Sequence, residues 1–186
     1  MRNIICLVFF FVAAFINAEI LGFPFFPGEI DINITKSNNL YQLDRINDAE
    51  YDYIAFKNHA DTYEIRVLQF GILEAGFSNE ELEGMFYLYT YMVMLNLVGD
   101  ESAVTNITQF TTEQVRNYNN ADAGFLVAVR YQNPKTPMFF NGYEYVLMNF
   151  FINFDTGIVI KARMFNSLDV YDEEHFSTDF LIFNYR

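Results

Sequence analysis

The sequence of 186 residues contains one cysteine, Cys6, and it lies in the apolar segment at the N-terminus. Removal of that segment would leave a chain with no cysteine at all. Such a chain forms no disulfide and offers no thiol nucleophile, no zinc–cysteine site and no cysteine-bound iron–sulfur cluster. The 168 residues after position 18 are enough for a domain that is stable without covalent links.

Basic residues are scarce: 11 lysines and arginines stand against 24 aspartates and glutamates, which gives a net charge of −13. We expect no nucleic-acid partner, because a nucleic-acid binder needs a basic surface that displaces counterions from phosphates. Anionic membrane surfaces are disfavoured for the same reason. Hydrophobic residues make up 52% of the chain, too many for a disordered protein, and the length suits a single domain.

Histidine is also rare, with His59 and His175 as the only two. His59 lies in a predicted turn and His175 follows a run of acids, so each is interpreted as a solvated turn residue rather than a catalytic base. The acidic run, Asp169–Glu174, is interpreted as solvated charge, with weak Ca²⁺ binding as the alternative. No motif of a serine hydrolase, zinc protease, Walker loop, EF-hand or dinucleotide site is present. We therefore expect no cofactor, no metal site and no catalytic residue, and an enzyme is the less favoured interpretation.

The first 18 residues have the layout of a signal peptide. Arg2 precedes an apolar run that ends at Ile16, and the small residue Ala18 predicts cleavage between Ala18 and Glu19. The run is shorter than a membrane-spanning helix, although an uncleaved anchor is the alternative. No second stretch approaches the ~20 apolar residues of a span. We expect a secreted protein that does not insert into a membrane after cleavage.

Two Asn-x-Thr sequons predict N-glycosylation, at Asn33 and at Asn106. Three isoleucines alternate with polar residues around the first, so that a strand there would bury the isoleucines and expose Asn33. Residues 19–29 form an aromatic arm with two prolines, interpreted as a strap over the core or as an arm that binds a partner. The remainder, residues 30–186, is expected to be one domain.

A long helix is predicted from Ser78 to Val98. Ser78 and Glu81 have the spacing of a capping box, in which each side chain bonds the backbone of the other, and Gly99 suits the left-handed exit. Apolar residues occur on nearly every side of this segment, which indicates a buried helix whose aromatic and methionine side chains belong to the core. A second capping box, Thr111 with Gln114, predicts a short helix that ends near Tyr118.

Strands are predicted on both sides of the long helix. Before it, residues 38–61 fit either a strand or a helix, with a turn at Asn58–Asp61 that leads into Tyr63–Phe70. After it, the pattern predicts a meander, a series of adjacent antiparallel strands. Its segments are Ala103–Phe110, Phe125–Gln132, Tyr143–Phe154 and Ile158–Phe165, with an Asn141-Gly142 hairpin turn and a C-terminal strand at Phe180–Tyr185.

A buried helix followed by an antiparallel meander predicts an α+β fold, with one long helix packed on a curved antiparallel sheet. The stretch FINFDTGIVIKARMF, residues 151–165, resembles the closing hairpin of nuclear-transport-factor-2-like domains and of polyketide-cyclase-like domains. The order of one helix and four strands is similar to that of a cystatin, although the inhibitory Q-x-V-x-G loop is missing. Both resemblances imply a helix-on-sheet roll.

Three functions are compatible with these patterns. The first is a secreted, non-catalytic binding protein that holds an apolar ligand between helix and sheet, with Phe150, Ile152 and Phe154 as lining residues. The second is a small secreted enzyme of the cyclase or isomerase type, which would use a His or Asp in a pocket as general base. The third is an interaction protein that binds a protein partner through its aromatic arm or an exposed sheet edge.

Overall fold

A computed structural model describes residues 24–34, 40–42, 46–47, 52–72, 76–99, 101, 104–130, 143–167 and 181–183. Within these ranges the elements are β1 Phe25–Pro27, β2 Ile32–Ile34, β3 Leu40–Gln42, β4 Ile46–Asn47, β5 Asp52–Asn58, β6 Tyr63–Ile72, α1 Asn79–Val98, β7 Val104–Gln109, α2 Thr112–Asn119, β8 Ala123–Arg130, β9 Tyr145–Asn153, β10 Gly157–Phe165 and β11 Leu181–Phe183. The predicted signal segment, the Asn141-Gly142 turn, the acidic run and His175 lie outside the described residues.

The long helix α1 begins where the sequence predicts. The amide of Glu81 donates to Ser78 Oγ over 3.3 Å, and the amide of Ser78 donates to Glu81 Oε2 over 2.8 Å. At the other end, Gly99 has a φ of 71° and its N–H bonds the carbonyl of Leu95. The capping box and the glycine exit are therefore both confirmed. The second capping box, Thr111 with Gln114, begins α2 in the same way.

The segment before α1 is built from strands. Described residues between positions 40 and 58 form β3, β4 and β5, so the helical alternative for residues 38–61 is wrong there. A turn joins β5 to β6, and Asn58 Oδ1 accepts hydrogen bonds from the amides of Thr62 and Tyr63 at 3.0 and 3.1 Å. This side chain closes the hairpin, as asparagine often does in turns.

All described strand pairs are antiparallel. The main sheet has the order β3-β5-β6-β10-β9-β8-β7. In addition, β1 pairs with β6 and β4 pairs with β5, while β2 and β11 form a separate pair. The strands after α1 thus form the predicted meander, β7 to β10, and β10 closes on β6. The predicted α+β arrangement of a long helix on an antiparallel sheet is confirmed.

The sheet buries apolar side chains on both faces. On the helix side, α1 covers a layer whose sheet residues include Leu68, Phe70, Phe125, Val127, Met148, Phe150, Ile152, Ile158, Ile160 and Met164. The opposite face carries Ile65, Val67, Phe151, Val159 and Phe165, which cluster with Val115 of α2 and Phe183 of β11. This second layer explains why β9 is bulky and apolar at successive positions, since both faces of the strand are covered.

The turn between β9 and β10 requires glycine. Gly157 has a φ of 148°, a backbone conformation that other residues rarely adopt. A Cβ atom there would also lie 2.1 Å from the carbonyl oxygen of Phe70 on the neighbouring strand β6. The glycine therefore lets β10 approach β6 closely at the point where the strand begins.

Candidate functional site

The three predicted lining residues lie at or near the centre of the helix-side layer. Phe150 and Ile152 are fully buried, and Phe154 is half-buried against the same cluster. The ring of Phe150 stacks on Phe125 with centroids 4.5 Å apart, and Phe125 in turn contacts Phe86 of α1 at 5.6 Å. Side chains of the protein itself therefore occupy the space between Phe150 and the helix.

A second aromatic group holds α1 against β1 and β6, on the same face of the sheet. Tyr89 contacts Phe25 of β1 at 5.3 Å and Phe70 of β6 at 5.5 Å, measured between ring centroids. Phe25 belongs to the arm that the sequence analysis singled out, and it is 3% exposed. Residues 25–27 of this arm thus lie along β6 as a short strand, with Phe25 directed into the core.

Polar side chains lie in the same helix-side layer, and the sequence analysis missed them. Glu64 and Arg66 alternate with Ile65 along β6, and their partners in register, Met164 and Ala162, belong to the helix-side cluster. Alternation therefore places Glu64 and Arg66 on the side that α1 covers. Both are buried, with exposed fractions of 4% and 9%.

These residues form a connected group with two tyrosines. Arg66 Nε donates to Glu64 Oε1 over 2.5 Å, and Tyr143 Oη donates to Glu64 Oε2 over 2.9 Å. The guanidinium carbon of Arg66 also lies 5.1 Å from the centroid of the Tyr53 ring, a cation–π arrangement. We call Tyr53, Glu64, Arg66 and Tyr143 the buried polar cluster.

The hydrogen bonds of this cluster limit its chemistry. Each oxygen of Glu64 accepts a bond from a protein donor, so the carboxylate is engaged and poorly placed to take a proton from a substrate. Burial raises the pKa of Tyr143, and the nearby charge of Glu64 raises it further, so the phenol stays protonated as the donor. The arrangement favours a structural role, because a buried carboxylate needs such partners.

Sequence alone gave a misleading signal for this cluster. The strand reads YEIRVLQF, and the alternation of Glu64 and Arg66 with Ile65 and Val67 is typical of a strand with one wet face. The tyrosine that completes the cluster is 79 positions away from Glu64. Nothing local therefore indicates that the face of Glu64 is covered.

Exposed side chains lie on the outer side of α1 and on β7, and a hydrogen bond joins these two elements. Leu88 of α1 and Ile107 of β7 are each 53% exposed. Gln109 Nε2 donates to Tyr87 Oη over 2.8 Å, which ties the end of β7 to the helix. Further along the helix, Tyr91 Oη donates to Glu101 Oε1 over 2.5 Å, just before β7 begins. We call Tyr87, Leu88, Tyr91, Ile107 and Gln109 the helix–edge surface.

This surface has negative but no positive charge on its two elements. The sequences of α1 and β7 contain three glutamates and no lysine or arginine. Glu83 lies one helical turn before Tyr87 on α1. Burial raises the pKa of Tyr87, and the charge of Glu83 raises it further. Glu101 lies at the other end through its bond to Tyr91.

Both predicted glycosylation sites lie on strands. Asn33 is exposed on β2 while Ile32 and Ile34 on either side are half-buried, as the alternation predicts. Asn106 is exposed on β7 beside a β-bulge, where Thr105 Oγ1 donates to the carbonyl of Ala128 over 2.8 Å. Both asparagines therefore have the solvent access that a glycan requires. The predicted cleavage residues, Ala18 and Glu19, lie outside the described residues.

His59 is exposed in the turn between β5 and β6. Among the described residues no three His, Cys, Asp or Glu side chains come together in a way that could hold a metal ion. In the same part of the chain no helix is long and apolar enough to cross a membrane.

Comparison with known proteins adds no relative. No protein-family model, no curated protein and no solved structure matches this chain. The resemblance of residues 151–165 to the closing hairpins of known α+β domains therefore stays an expectation from the sequence.

Proposed function

We propose that the protein is a secreted, non-catalytic binding protein that recognises a protein partner through the helix–edge surface. The observation that carries the proposal is the exposure of Leu88 and Ile107. Among the described residues, three large apolar side chains are more than two-fifths exposed, and two of them lie on this surface. Apolar side chains grouped on an exposed surface are typical of protein–protein contact sites.

The charge of the surface narrows the kind of partner. Glu83 and Glu101 lie at its two ends, and neither α1 nor β7 carries a basic residue. Opposite charge across an interface speeds association and excludes wrong partners. The partner that fits is a protein whose contact region combines an apolar residue with lysines or arginines.

The interior supports a binding role less well than the surface does. A ligand between α1 and the sheet would have to displace Phe150 from its stack on Phe125, or Tyr89 from its contact with Phe70. These contacts are those of a close-packed core. An apolar ligand that lies against Phe150, Ile152 and Phe154 is therefore a weaker proposal.

An enzyme of the cyclase or isomerase type remains the second candidate, and the buried polar cluster is the observation that favours it. A carboxylate, a guanidinium and a phenol meet inside the helix-side layer, as they do in many active sites. Against this, both oxygens of Glu64 are engaged by protein donors. Binding without catalysis is therefore the function that the geometry supports better.

The proposal includes export and glycosylation. Residues 1–18 would be removed between Ala18 and Glu19, and Asn33 and Asn106 would each carry a glycan in a eukaryotic secretory pathway. The exposure of both asparagines supports this. Mass spectrometry of the secreted protein and of its Asn33→Gln and Asn106→Gln variants would test it, since each substitution should remove the mass of one glycan.

Site-specific photo-cross-linking tests the function. A cross-linking amino acid at position 88 or 107 should join the protein to one and the same partner in the fluid into which it is secreted. Unlabelled wild-type protein should compete, and the Leu88→Glu variant should not. Position 26 is the matched control, because Phe26 is also an exposed large apolar residue, at 42%, but lies on β1. Equal cross-linking from position 26, or competition by Leu88→Glu, would contradict the proposal.

A further inference from the structure

Of the strands that the structure describes, β7 is the last of the main sheet on its side. Among the described residues it pairs with β8 alone, and five of its six residues are exposed. An edge strand presents backbone N–H and C=O groups that another chain can bind. This edge adjoins Tyr87 and Tyr91 of α1, so that a chain added to it would also touch the helix.

The register shows which backbone groups point away from the sheet. The N–H of Phe110 bonds the carbonyl of Gly124, directed toward β8. Backbone direction alternates along an antiparallel strand, so the groups of Thr108 also point toward β8, and those of Ile107 and Gln109 point outward. The side chains of these two residues belong to the α1 side of the strand, because their partners Val127 and Phe125 belong to the helix-side cluster.

Resting on the proposed function, we infer that β7 accepts an extended segment of the partner as an added strand, paired with Ile107 and Gln109. Side chains of the added strand that lie opposite these two residues would lie on the α1 side. An apolar side chain there would cover Ile107, and the tyrosines of the helix would flank it. Basic side chains on either side would reach Glu83 and Glu101. The partner segment that fits therefore has, at every second position, apolar residues in the centre and a lysine or arginine on either side of them.

A glycan on Asn106 would leave the α1 side of β7 free for an added strand. Asn106 is the neighbour of Ile107 in the strand, so its side chain lies on the face away from α1. The apolar side of the edge is then clear, while the other side is protected from unspecific pairing. This division fits an edge strand that binds one partner and must not aggregate.

The probe is the blocked peptide Lys-Thr-Ile-Thr-Ile-Thr-Lys, titrated into the isotopically labelled secreted protein. Binding should shift the amide signals of Ile107 and Gln109 and slow their hydrogen exchange. Replacing both lysines by glutamates in the peptide should abolish the effect. Methylation of the central backbone nitrogens should do the same, since it removes the strand hydrogen bonds and keeps the side chains.

Variants of the protein test whether the charges of Glu83 and Glu101 contribute to peptide binding. The double variant Glu83→Gln, Glu101→Gln should bind the peptide roughly tenfold more weakly at low salt. The control Glu113→Gln, an exposed acid of α2, should bind as the wild type does. Equal binding by the methylated peptide would overturn strand addition, and equal binding by the glutamate peptide would overturn the basic residues inferred for the segment.

The outcome also distinguishes this inference from the proposed function. If cross-links from positions 88 and 107 depend on the intact surface but no peptide shifts Ile107 or Gln109, strand addition is wrong and the surface still binds its partner in another way. If position 26 cross-links as efficiently, the proposed function fails first.

Discussion

Tyr143 Oη donates a 2.9 Å hydrogen bond to Glu64 Oε2, joining residues 79 positions apart inside the helix-side layer. Tyr143→Phe keeps the ring and removes the donor, which leaves one oxygen of a buried carboxylate with no bond from this side. We expect a loss of about 1–3 kcal/mol in the free energy of unfolding, measured by urea denaturation. Tyr145→Phe is the control and should change stability by less than about 0.5 kcal/mol, because its half-buried ring keeps its stack on Phe165. Equal effects of the two substitutions would contradict the structural role of the cluster.

The same tyrosine predicts a pH dependence. Burial first, and then the charge of Glu64, raise the pKa of Tyr143 in the folded protein. The folded state therefore holds this proton to higher pH than the unfolded state does. The stabilising contribution is complete below the ordinary tyrosine pKa of about 10 and is lost as the pH rises above it. The difference in the free energy of unfolding between wild type and Tyr143→Phe should therefore become smaller above about pH 10. A difference that stays constant would show that folding does not raise the pKa of this tyrosine.

The helix cap gives a more local prediction. Ser78→Ala removes the hydroxyl that accepts the amide of Glu81, and we expect a loss of about 1 kcal/mol in the free energy of unfolding. Ser78→Thr keeps a hydroxyl and should recover most of it. Urea denaturation of the three proteins measures the effect. A loss of less than about 0.3 kcal/mol for Ser78→Ala would mean that the cap does not matter for the stability of α1.

The contrast between these sites shows what the sequence could predict. Ser78 and Glu81 are three residues apart, and the Asn58 turn spans five, so the chemistry of each is complete within its own segment. Glu64 and Tyr143 meet only because β10 pairs with both β6 and β9, which brings the two distant segments together. The alternation of β6 cannot show that its polar face is covered, since that depends on α1.

The helix–edge surface was predictable in part. The sequence indicates that α1 is apolar on nearly every side, and the structure shows that only one of these sides packs on the sheet. Which side stays outside depends on the angle of α1 relative to β7, and the Gln109–Tyr87 hydrogen bond helps to fix it. The exposure of Leu88 is therefore a tertiary property. An apolar helix alone predicts burial.

Two glycines should respond in opposite ways to substitution by alanine. Gly157→Ala should cost about 2–4 kcal/mol, because its φ of 148° is strained for alanine and the new Cβ would lie 2.1 Å from the oxygen of Phe70. Gly84 lies in α1 with open space around it. Gly84→Ala should therefore raise the free energy of unfolding by about 0.5–1 kcal/mol. Thermal and urea denaturation measure both. If Gly157→Ala left the free energy of unfolding unchanged, β10 would be able to move away from β6 at this position without a loss of stability.

The interior of the helix-side layer can be tested through Phe150. If it is packed core, Phe150→Ala should cost about 3–5 kcal/mol, because the ring is fully buried and stacks 4.5 Å from Phe125. Phe154→Ala, at a half-buried position of the same cluster, should lower the free energy of unfolding by clearly less than Phe150→Ala does.

A close-packed layer also predicts how the protein responds to a small apolar molecule. If the layer around Phe150 is close-packed, wild-type protein cannot take up benzene there, and saturating benzene should leave its thermal midpoint unchanged. Phe150→Ala creates an apolar cavity, and benzene should raise the midpoint of this variant by filling it. A layer that naturally holds a ligand would behave differently, because its space exists before the mutation. Wild-type protein would then be stabilised by small apolar molecules, and native mass spectrometry would show a bound mass that Phe150→Ala alters. These two results together would show that the protein binds its ligand in the interior and not through the helix–edge surface.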